Sequence, residues 1–297
     1  MLYVHLTGVS SEVLKNLVLA GVRPVLCDTR PYPDAILDTP SFFVAQVRQR
    51  RTQYTSVAHA LQASVEELNP LLGQCEILDK HVGDISEDML KDYDMVICSH
   101  VGMADAARMA KATTSAGGKF YLVDCFGWNG VAVVDLGPEH TYRVEVNKTL
   151  SDLKTVETHV SLEDLWNVPL GDVTSKRVDK TPPHVWMHYR AILEYHARTK
   201  SWPSADKANE FVKVVQQWIA EDAPDLEELD SLQADALTKL ASTALAEVSA
   251  VCAVLGGVIG NEVIKAISGK GEPANNTLLL DGFEGKCRNL LVQRKQD

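Results

Sequence analysis

Short apolar runs alternate with helical segments along the first 140 residues, and this alternation constrains the fold most. Residues 2–6 predict a buried strand, residues 12–18 place their apolar side chains on one helical face, and "RPVLCD" at 23–28 predicts a second strand. Further strands are predicted in "CEILDKHV", "YDMVICSH" and "KFYLVDCFG". Strands that alternate with helices form βαβ units with right-handed crossovers. The sequence therefore predicts an α/β fold with a Rossmann-like, mainly parallel sheet flanked by helices.

The pattern changes after about residue 140, which predicts three segments. Residues 1–140 form the Rossmann-like half, and residues 141–235 form a variable excursion of strands and helices that ends in an acidic linker. That linker has seven acidic and no basic residues between Glu221 and Asp235, which indicates a solvated face or, alternatively, a docking surface for a basic protein. Residues 236–297 are expected to complete the first half. They hold one buried helix, predicted within 242–268, and two strands around a turn at Asp281-Gly282.

The turn from His5 to Ser11 lies where Rossmann-like folds bind phosphate. Such a turn needs glycines, because the backbone must approach the phosphates closely and some residues need positive φ. Only Gly8 is present, and Ser10 or Ser11 is expected to cap the following helix. We therefore predict a vestigial nucleotide loop, although an anion could still bind the helix N-terminus. Asp28 ends the second strand, where these folds place a ribose ligand. Without a phosphate loop, we expect it to be solvated or to cap the backbone.

Composition and spacing argue against several other functions. The net charge of -11 disfavours nucleic-acid binding, which needs a basic surface. The six cysteines contain no C-x-x-C pair, so we expect buried, reduced thiols and no bound metal, with Cys252 inert inside an apolar helix. His184, His188 and His196 follow helical spacing and are expected to pack rather than bind metal. No secretory signal is expected, and the uncharged stretch 248–261 is shorter than the roughly 20 residues that span a bilayer.

Several segments, in order, resemble one family. They are similar to the smaller, non-catalytic subunit of the heterodimeric enzymes that activate ubiquitin-like modifiers, and most similar to the Aos-type subunit of SUMO-activating enzymes. The segments are "EVLKNLVLAGV" (12–22), "EELNPLL" (66–72), "YDMVICSH" (93–100), "DCFGWNGVAVVDLG" (124–137), "VCAVLGGVIGNEVIKAISGK" (251–270) and "NNTLLLDGFEG" (275–285). The Gly-Gly helix and the Asp-Gly strand after it are the most specific, whereas residues 140–235 match poorly.

The resemblance implies a ThiF/MoeB-type adenylation fold and a division of labour between two subunits. It implies that a larger partner binds ATP and magnesium, adenylates the modifier and carries the catalytic cysteine. This chain would complete the heterodimer, with no cofactor of its own, and would meet the modifier only indirectly. We expect the isolated chain to be inactive, and we expect no nucleic-acid or membrane partner. The resemblance further implies a location in the nucleus and cytoplasm.

The resemblance assigns no catalytic residue to this chain. Family members usually have a helix with a Tyr-x-Arg-Gln-like motif ahead of the first strand, and the sequence starts at that strand. We predict a partner interface on the Gly-Gly helix, or alternatively an ordinary core helix there. The predicted interface residues are Val251, Cys252, Gly256, Gly257 and Glu262. Two other functions stay open. One is a stand-alone nucleotide-dependent adenylyltransferase or oxidoreductase. The other is the matching subunit of a Nedd/Rub-type activating enzyme, although such subunits usually carry a large helical insertion and 297 residues leave little length for it.

Overall fold

The structure is a computed structural model that describes residues 1–32, 40–44, 47, 54–146, 148–173, 183–226 and 229–295. Its strands are β1 (Leu2–Val4), β2 (Val25–Cys27), β3 (Glu76–Ile77), β4 (Met95–Cys98), β5 (Lys119–Phe126), β6 (Asn129–Asp135), β7 (Thr141–Tyr142), β8 (Glu145–Val146), β9 (Thr149–Leu150), β10 (Lys154–Thr155), β11 (Thr277–Asp281) and β12 (Lys286–Leu290). Eight of them form one sheet in the order β12-β11-β6-β5-β4-β1-β2-β3, while β7 pairs with β10 and β8 pairs with β9.

Helices cover both faces of the sheet. The described α-helices are α1 (Gly8–Leu19), α2 (Val57–Leu68), α3 (Glu87–Leu90), α4 (Met103–Ser115), α5 (Leu162–Trp166), α6 (His184–Thr199), α7 (Ala208–Asp222), α8 (Ala234–Thr243) and α9 (Ser249–Ser268). Short 3-10 turns lie at Pro70–Leu72, Val82–Asp84, Leu170–Asp172, Ala205–Lys207, Pro224–Leu226 and Asp230–Leu232. Together with the sheet these helices make a three-layer α/β architecture.

The strand pairing places a crevice beside β1. Strands β3, β2, β1, β4 and β5 run parallel to one another, whereas the pairs β5–β6, β6–β11 and β11–β12 are antiparallel. This confirms the predicted α/β fold. Because β1 lies between β2 and β4, the chain leaves it on one side and later returns on the other. In such sheets, ligands bind at this switch point, outside the carboxyl ends of the strands.

The two faces of the sheet bury separate hydrophobic cores. Tyr121, Val123 and Cys125 of β5 pack with residues of α1, α2 and α9 on one face. Phe120 and Leu122 of the same strand pack on the other face with residues of α4 to α8. The alternation along β5 follows the two-residue period of a strand. The excursion helices α6 and α7 are therefore part of the second covering layer of the sheet.

A buried arginine organises that second layer. The Arg190 guanidinium carbon lies 5.9, 5.9 and 5.6 Å from the ring centroids of Trp166, Trp186 and Trp218. Its nitrogens donate to the carbonyl oxygens of Trp166 at 2.9 Å and Val168 at 3.2 Å. Cation–π contacts and hydrogen bonds to charged groups are both strengthened by burial. Arg190 thus links α6 to the end of α5.

The C-terminal segment partly contradicts the sequence prediction. The helix predicted within residues 242–268 is present as α9, but its predicted start is wrong, because α8 ends at Thr243 and α9 begins only at Ser249. The linker between them pairs with the β5–β6 hairpin, where the Gly127 amide donates to the Ala246 carbonyl at 2.7 Å. By contrast, the predicted hairpin around Asp281-Gly282 is confirmed by the antiparallel pairing of β11 with β12. The break in the helix positions Glu247.

Candidate functional site

The turn between β1 and α1 lies at the switch point, and Thr7 caps the helix that follows it. The Thr7 hydroxyl accepts a hydrogen bond from the Ser10 amide, while the Ser10 hydroxyl accepts one from the Thr7 amide at 2.8 Å. This reciprocal arrangement is a capping box. The expectation that Ser10 or Ser11 is the cap is therefore wrong by three or four positions, because α1 already begins at Gly8. Ser11 instead accepts from the Ser41 hydroxyl at 3.0 Å.

A carboxylate of the chain itself occupies the N-terminus of α1. Glu247 accepts hydrogen bonds from the Gly8 amide at 2.6 Å and from the Val9 amide at 3.0 Å, one on each carboxylate oxygen. Free amides and the helix dipole make such a terminus a phosphate site in nucleotide-binding folds. Here Glu247 supplies the negative charge. A Cβ at Gly8 would lie 2.8 Å from the Glu247 carboxylate and 3.1 Å from the Cys252 sulfur, so this glycine serves close packing within the chain.

Asp28 is paired with Arg30 at the end of β2. Its carboxylate accepts from the Arg30 guanidinium at 2.9 and 2.6 Å and from the Leu6 amide at 2.7 Å. Burial acts to raise the pKa of Asp28, but the hydrogen bonds and charge of Arg30 hold it below its usual value. The expectation of a solvated role is wrong, since Asp28 is 1% exposed. The expected backbone cap is confirmed by the Leu6 contact, and Arg30 takes the oxygens that a ribose would need.

The ends of β1, β4 and β5 are joined by buried hydrogen bonds. The Asp124 carboxylate accepts from the Ser99 hydroxyl at 3.0 Å, the His100 amide at 2.7 Å and the Tyr189 hydroxyl at 2.6 Å. His5 and His100 have φ of 61° and 50°, a backbone region that non-glycine residues rarely adopt. Buried polar networks of this kind fix the arrangement of the elements that they join. These bonds therefore tie the end of β5 to the residues that follow β4 and to α6.

Two buried thiols lie beside Glu247. The sulfurs of Cys125 and Cys252 and a carboxylate oxygen of Glu247 all lie within 4.8 Å of one another. The Cys252 thiol donates a hydrogen bond to Glu247 Oε1 at 3.7 Å, and both thiols are fully buried. A hydrogen bond with Cys252, together with burial, raises the pKa of the Cys125 thiol well above its usual value. Among the described residues, this is the one group whose donor atoms could hold a metal ion.

The three histidines of α6 pack within the chain. His188 Nε2 lies 2.9 Å from the Ser231 carbonyl oxygen, and its ring meets that of His184 edge to face. The His196 ring stacks on Trp202 with 4.1 Å between centroids. These contacts confirm the expected packing role.

The acidic run begins with the last two residues of α7, and both bind the chain itself. Glu221 accepts from the Arg198 guanidinium at 2.9 Å, and Asp222 accepts from the Leu170 amide at 3.0 Å. Glu227 and Glu228 lie outside the described residues. A docking role for this run stays a prediction.

Four of the five predicted interface residues face the interior of this chain. Val251, Cys252 and Gly256 are buried in the α9 packing, and Glu262 accepts from the Ala274 amide at 2.8 Å. A Cβ at Gly256 would lie under 3.0 Å from that of Glu12, so α1 crosses α9 here. Gly257 alone is exposed, and a Cβ there would meet nothing within 4 Å. The structure therefore puts one of the five on the surface.

The open side of α9 carries an apolar stripe. Val254, Ile264 and Ile267 are 53%, 43% and 55% exposed, and Ala253 and Gly257 are exposed on the same side, which is interrupted by one polar residue, Asn261. Positions three and four apart share one side of a helix. Several exposed apolar residues along one side of a 20-residue helix are typical of an interaction surface. We call these five apolar residues the α9 stripe.

α9 is also long and apolar enough to cross a membrane, by length and composition alone. It has 20 residues and a mean hydropathy of 1.7, and half of that stretch is buried inside the chain. The uncharged stretch 248–261 is shorter than a bilayer span, as expected, and α9 reaches a spanning length because it continues past that stretch to Ser268. Its buried side packs on α1 and on the sheet, which accounts for its apolar composition.

Sequence reasoning missed Glu247 and Arg30. Glu247 lies far from Gly8 along the chain, and only the break between α8 and α9 brings them together. Its acidic side chain just before an apolar helix was the available signal, but that signal does not identify a partner. Arg30, two residues after Asp28, was a clearer hint, since a nearby guanidinium often pairs with a carboxylate.

Comparison with known proteins finds several relatives that match almost the whole chain. The chain is 26% identical over 293 residues to SUMO-activating enzyme subunit 1 of Dictyostelium discoideum, covering 96% of this chain and 84% of that protein. It is 26% identical over 317 residues to SUMO-activating enzyme subunit 1 of Danio rerio, covering 96% and 86%. It is 25% identical over 292 residues to DNA damage tolerance protein rad31 of Schizosaccharomyces pombe, covering 96% and 87%. No protein-family model matches the chain. These similarities confirm the resemblance that the sequence segments indicate.

Proposed function

We propose that this chain is the non-catalytic subunit of a heterodimeric SUMO-activating enzyme. Its partner would be a larger subunit that binds ATP and magnesium, adenylates the modifier and forms the thioester. The similarity to proteins named SUMO-activating enzyme subunit 1, over 96% of the chain, supports this assignment. The proposal includes a location in the nucleus and cytoplasm, which fractionation of cells carrying the tagged chain would test.

The Glu247 carboxylate at the N-terminus of α1 carries the proposal. A triphosphate bound there would have to displace Glu247 from the Gly8 and Val9 amides or lie against its negative charge. Like charges at short distance repel strongly where water is partly excluded. The chain has thus kept the fold of a nucleotide-binding half while filling its anion site. Such a half can support a dimer without binding the nucleotide itself.

The α9 stripe is the surface that we assign to the larger subunit. Its apolar side chains project from a helix that the chain anchors firmly on α1. Burial of apolar area is the main favourable term in stable association. Gly257, at the middle of the stripe, would allow a partner backbone to come close. This assignment moves the predicted interface from the buried to the exposed side of the same helix.

Co-purification and activity measurements test the proposal. We expect the chain to bind the larger subunit stably and to show no SUMO-dependent ATP–pyrophosphate exchange alone, with exchange appearing in the complex. Val254→Glu should abolish co-purification, because it puts a charge in the apolar contact. Leu71→Glu, at a residue that is 95% exposed away from α9, is the matched control and should leave binding unchanged. Exchange by the lone chain, or equal effects of the two variants, would refute the proposal.

A further inference from the structure

Three metal-ligating side chains converge from separate parts of the fold. Cys125 lies near the end of β5, Glu247 lies in the linker between α8 and α9, and Cys252 lies in the first turn of α9. Their donor atoms lie within 4.8 Å of one another, and Glu247 Oε1 is 3.7 Å from the Cys252 sulfur. Both cysteines are free thiols. A single ion could therefore contact all three side chains after small side-chain rotations.

The surroundings hold these donors in place. The Gly8 and Val9 amides each donate to one oxygen of Glu247 and so fix the orientation of its carboxylate. Hydrogen bonds of this kind to a metal ligand are a general feature of protein metal sites. Glycines also leave room for the sulfurs, since a Cβ at Gly130 would lie 3.4 Å from the Cys125 sulfur and one at Gly8 would lie 3.1 Å from that of Cys252.

The donor set selects the type of metal. Two thiolates exclude magnesium and calcium, which prefer oxygen, and suit zinc. A tetrahedral zinc ion with Zn–S distances of about 2.3 Å places its two sulfurs about 3.8 Å apart, within the spacing observed here. Two thiolates, one carboxylate and Zn²⁺ leave one net negative charge, which the N-terminus of α1 stabilises. Glu247 is half-buried and both thiols are fully buried, so a single water beside Glu247 would complete the four ligands of a tetrahedral zinc ion.

We propose that Cys125, Glu247 and Cys252 bind one zinc ion, with water as the fourth ligand. The ion would join β5, the linker between α8 and α9, and the start of α9, and Glu247 would keep its hydrogen bonds to the N-terminus of α1. The three ligands are distant in sequence, so the spacing rules that identify zinc sites in sequences do not find them. The site is independent of the function proposed above, because it requires no partner subunit and no nucleotide.

Metal binding by the full, tag-free chain tests this site. The reduced, chelator-treated protein would be titrated with Co²⁺ as a spectroscopic probe for zinc. We expect about one ion per chain, tetrahedral d–d bands and sulfur-to-cobalt charge-transfer bands that added Zn²⁺ removes. Cys125→Ser and Cys252→Ser should each weaken binding at least about tenfold, and Glu247→Gln should weaken it while keeping both thiols. Cys287→Ser, at the exposed cysteine, is the control and should bind like the native chain.

Three results would overturn the proposal. One is the absence of thiolate-to-cobalt bands in the native chain, which is informative even if a cysteine variant fails to fold. Another is undiminished binding by folded Cys252→Ser. The third is mass-spectrometric detection of a Cys125–Cys252 disulfide together with no metal uptake by the reduced chain, which would identify the pair as a dithiol instead.

Discussion

The adjacent glycines of α9 face opposite surroundings, so a methyl group added to each should change stability in opposite directions. A Cβ at Gly256 would lie under 3.0 Å from the Glu12 Cβ and 3.2 Å from the Val13 amide nitrogen. Carbon atoms in contact prefer about 3.5–4.0 Å, so α1 and α9 would have to move apart. Overpacking of this kind costs about 1–3 kcal/mol, partly offset by the gain of about 1 kcal/mol from replacing a helical glycine with alanine.

Because the added Cβ also meets backbone atoms of α1, which cannot rotate away, we expect the upper part of that cost, about 2–3 kcal/mol. The net effect of Gly256→Ala should therefore be to lower the free energy of unfolding by about 1–2 kcal/mol. Gly257→Ala meets no atom within 4 Å and should raise it by up to about 1 kcal/mol through helix propensity alone. Urea unfolding of the purified chain, followed by circular dichroism, measures both changes, and each variant serves as the control for the other. Equal destabilisation by the two substitutions would refute the exposed placement of Gly257. A neutral Gly256→Ala would refute the close crossing of α1 and α9.

Three further changes test other contacts. Glu247→Gln keeps the shape of the side chain but removes its charge from the N-terminus of α1. We expect the free energy of unfolding, measured in urea, to fall by about 1–2 kcal/mol. An unchanged free energy of unfolding would show that the charge is unimportant there. Arg190→Met leaves the Trp166 and Val168 carbonyls without their donor. We expect the free energy of unfolding to fall by about 2–3 kcal/mol and the tryptophan emission to shift. An unchanged emission spectrum and an unchanged stability would contradict this role. Burial lowers the pKa of His188 from its ordinary 6.5, so the unfolded chain binds the proton more readily and stability should fall as the pH drops below 6.5. His188→Gln should flatten this dependence between about pH 7.5 and about pH 5.5, and an unchanged slope would exclude His188 as its source.

Local sequence pattern was enough to predict β1 to β5, the C-terminal hairpin of β11 and β12, and the fold class, whereas β6 was not predicted. The runs that became β1, β4 and β5 are apolar because both faces of the sheet are covered, and burial on both faces gives a continuous apolar run. The turn at Asp281-Gly282 was predictable because its residues favour tight turns between strands. These features depend on neighbours in sequence, so a single chain reveals them.

Features that depend on distant contacts were not predictable. The break between α8 and α9 arises because the β5–β6 hairpin binds the linker, and nothing within residues 242–268 signals that pairing. The placement of Glu247 at Gly8 follows from this break. The Gly256–Gly257 pair correctly indicated close packing, but the sequence could not assign one glycine to α1 and the other to the surface.

An apolar composition does not distinguish a core from an interface either. α9 is apolar almost all round, which predicts burial on several sides. Within the chain, however, Val254, Ile264 and Ile267 stay largely exposed. Hydrophobic side chains have the same pattern whether a neighbouring helix or another subunit covers them, so only the three-dimensional arrangement separates the two sides.

Binding of magnesium–ATP to the purified chain tests most directly whether the filled N-terminus of α1 has removed the nucleotide site. Isothermal titration calorimetry would compare the chain alone with its complex with the larger subunit, at the same nucleotide concentrations. We predict no saturable binding to the chain alone and one nucleotide bound per complex. Saturable, one-to-one binding to the isolated chain would contradict the role that we assign to Glu247.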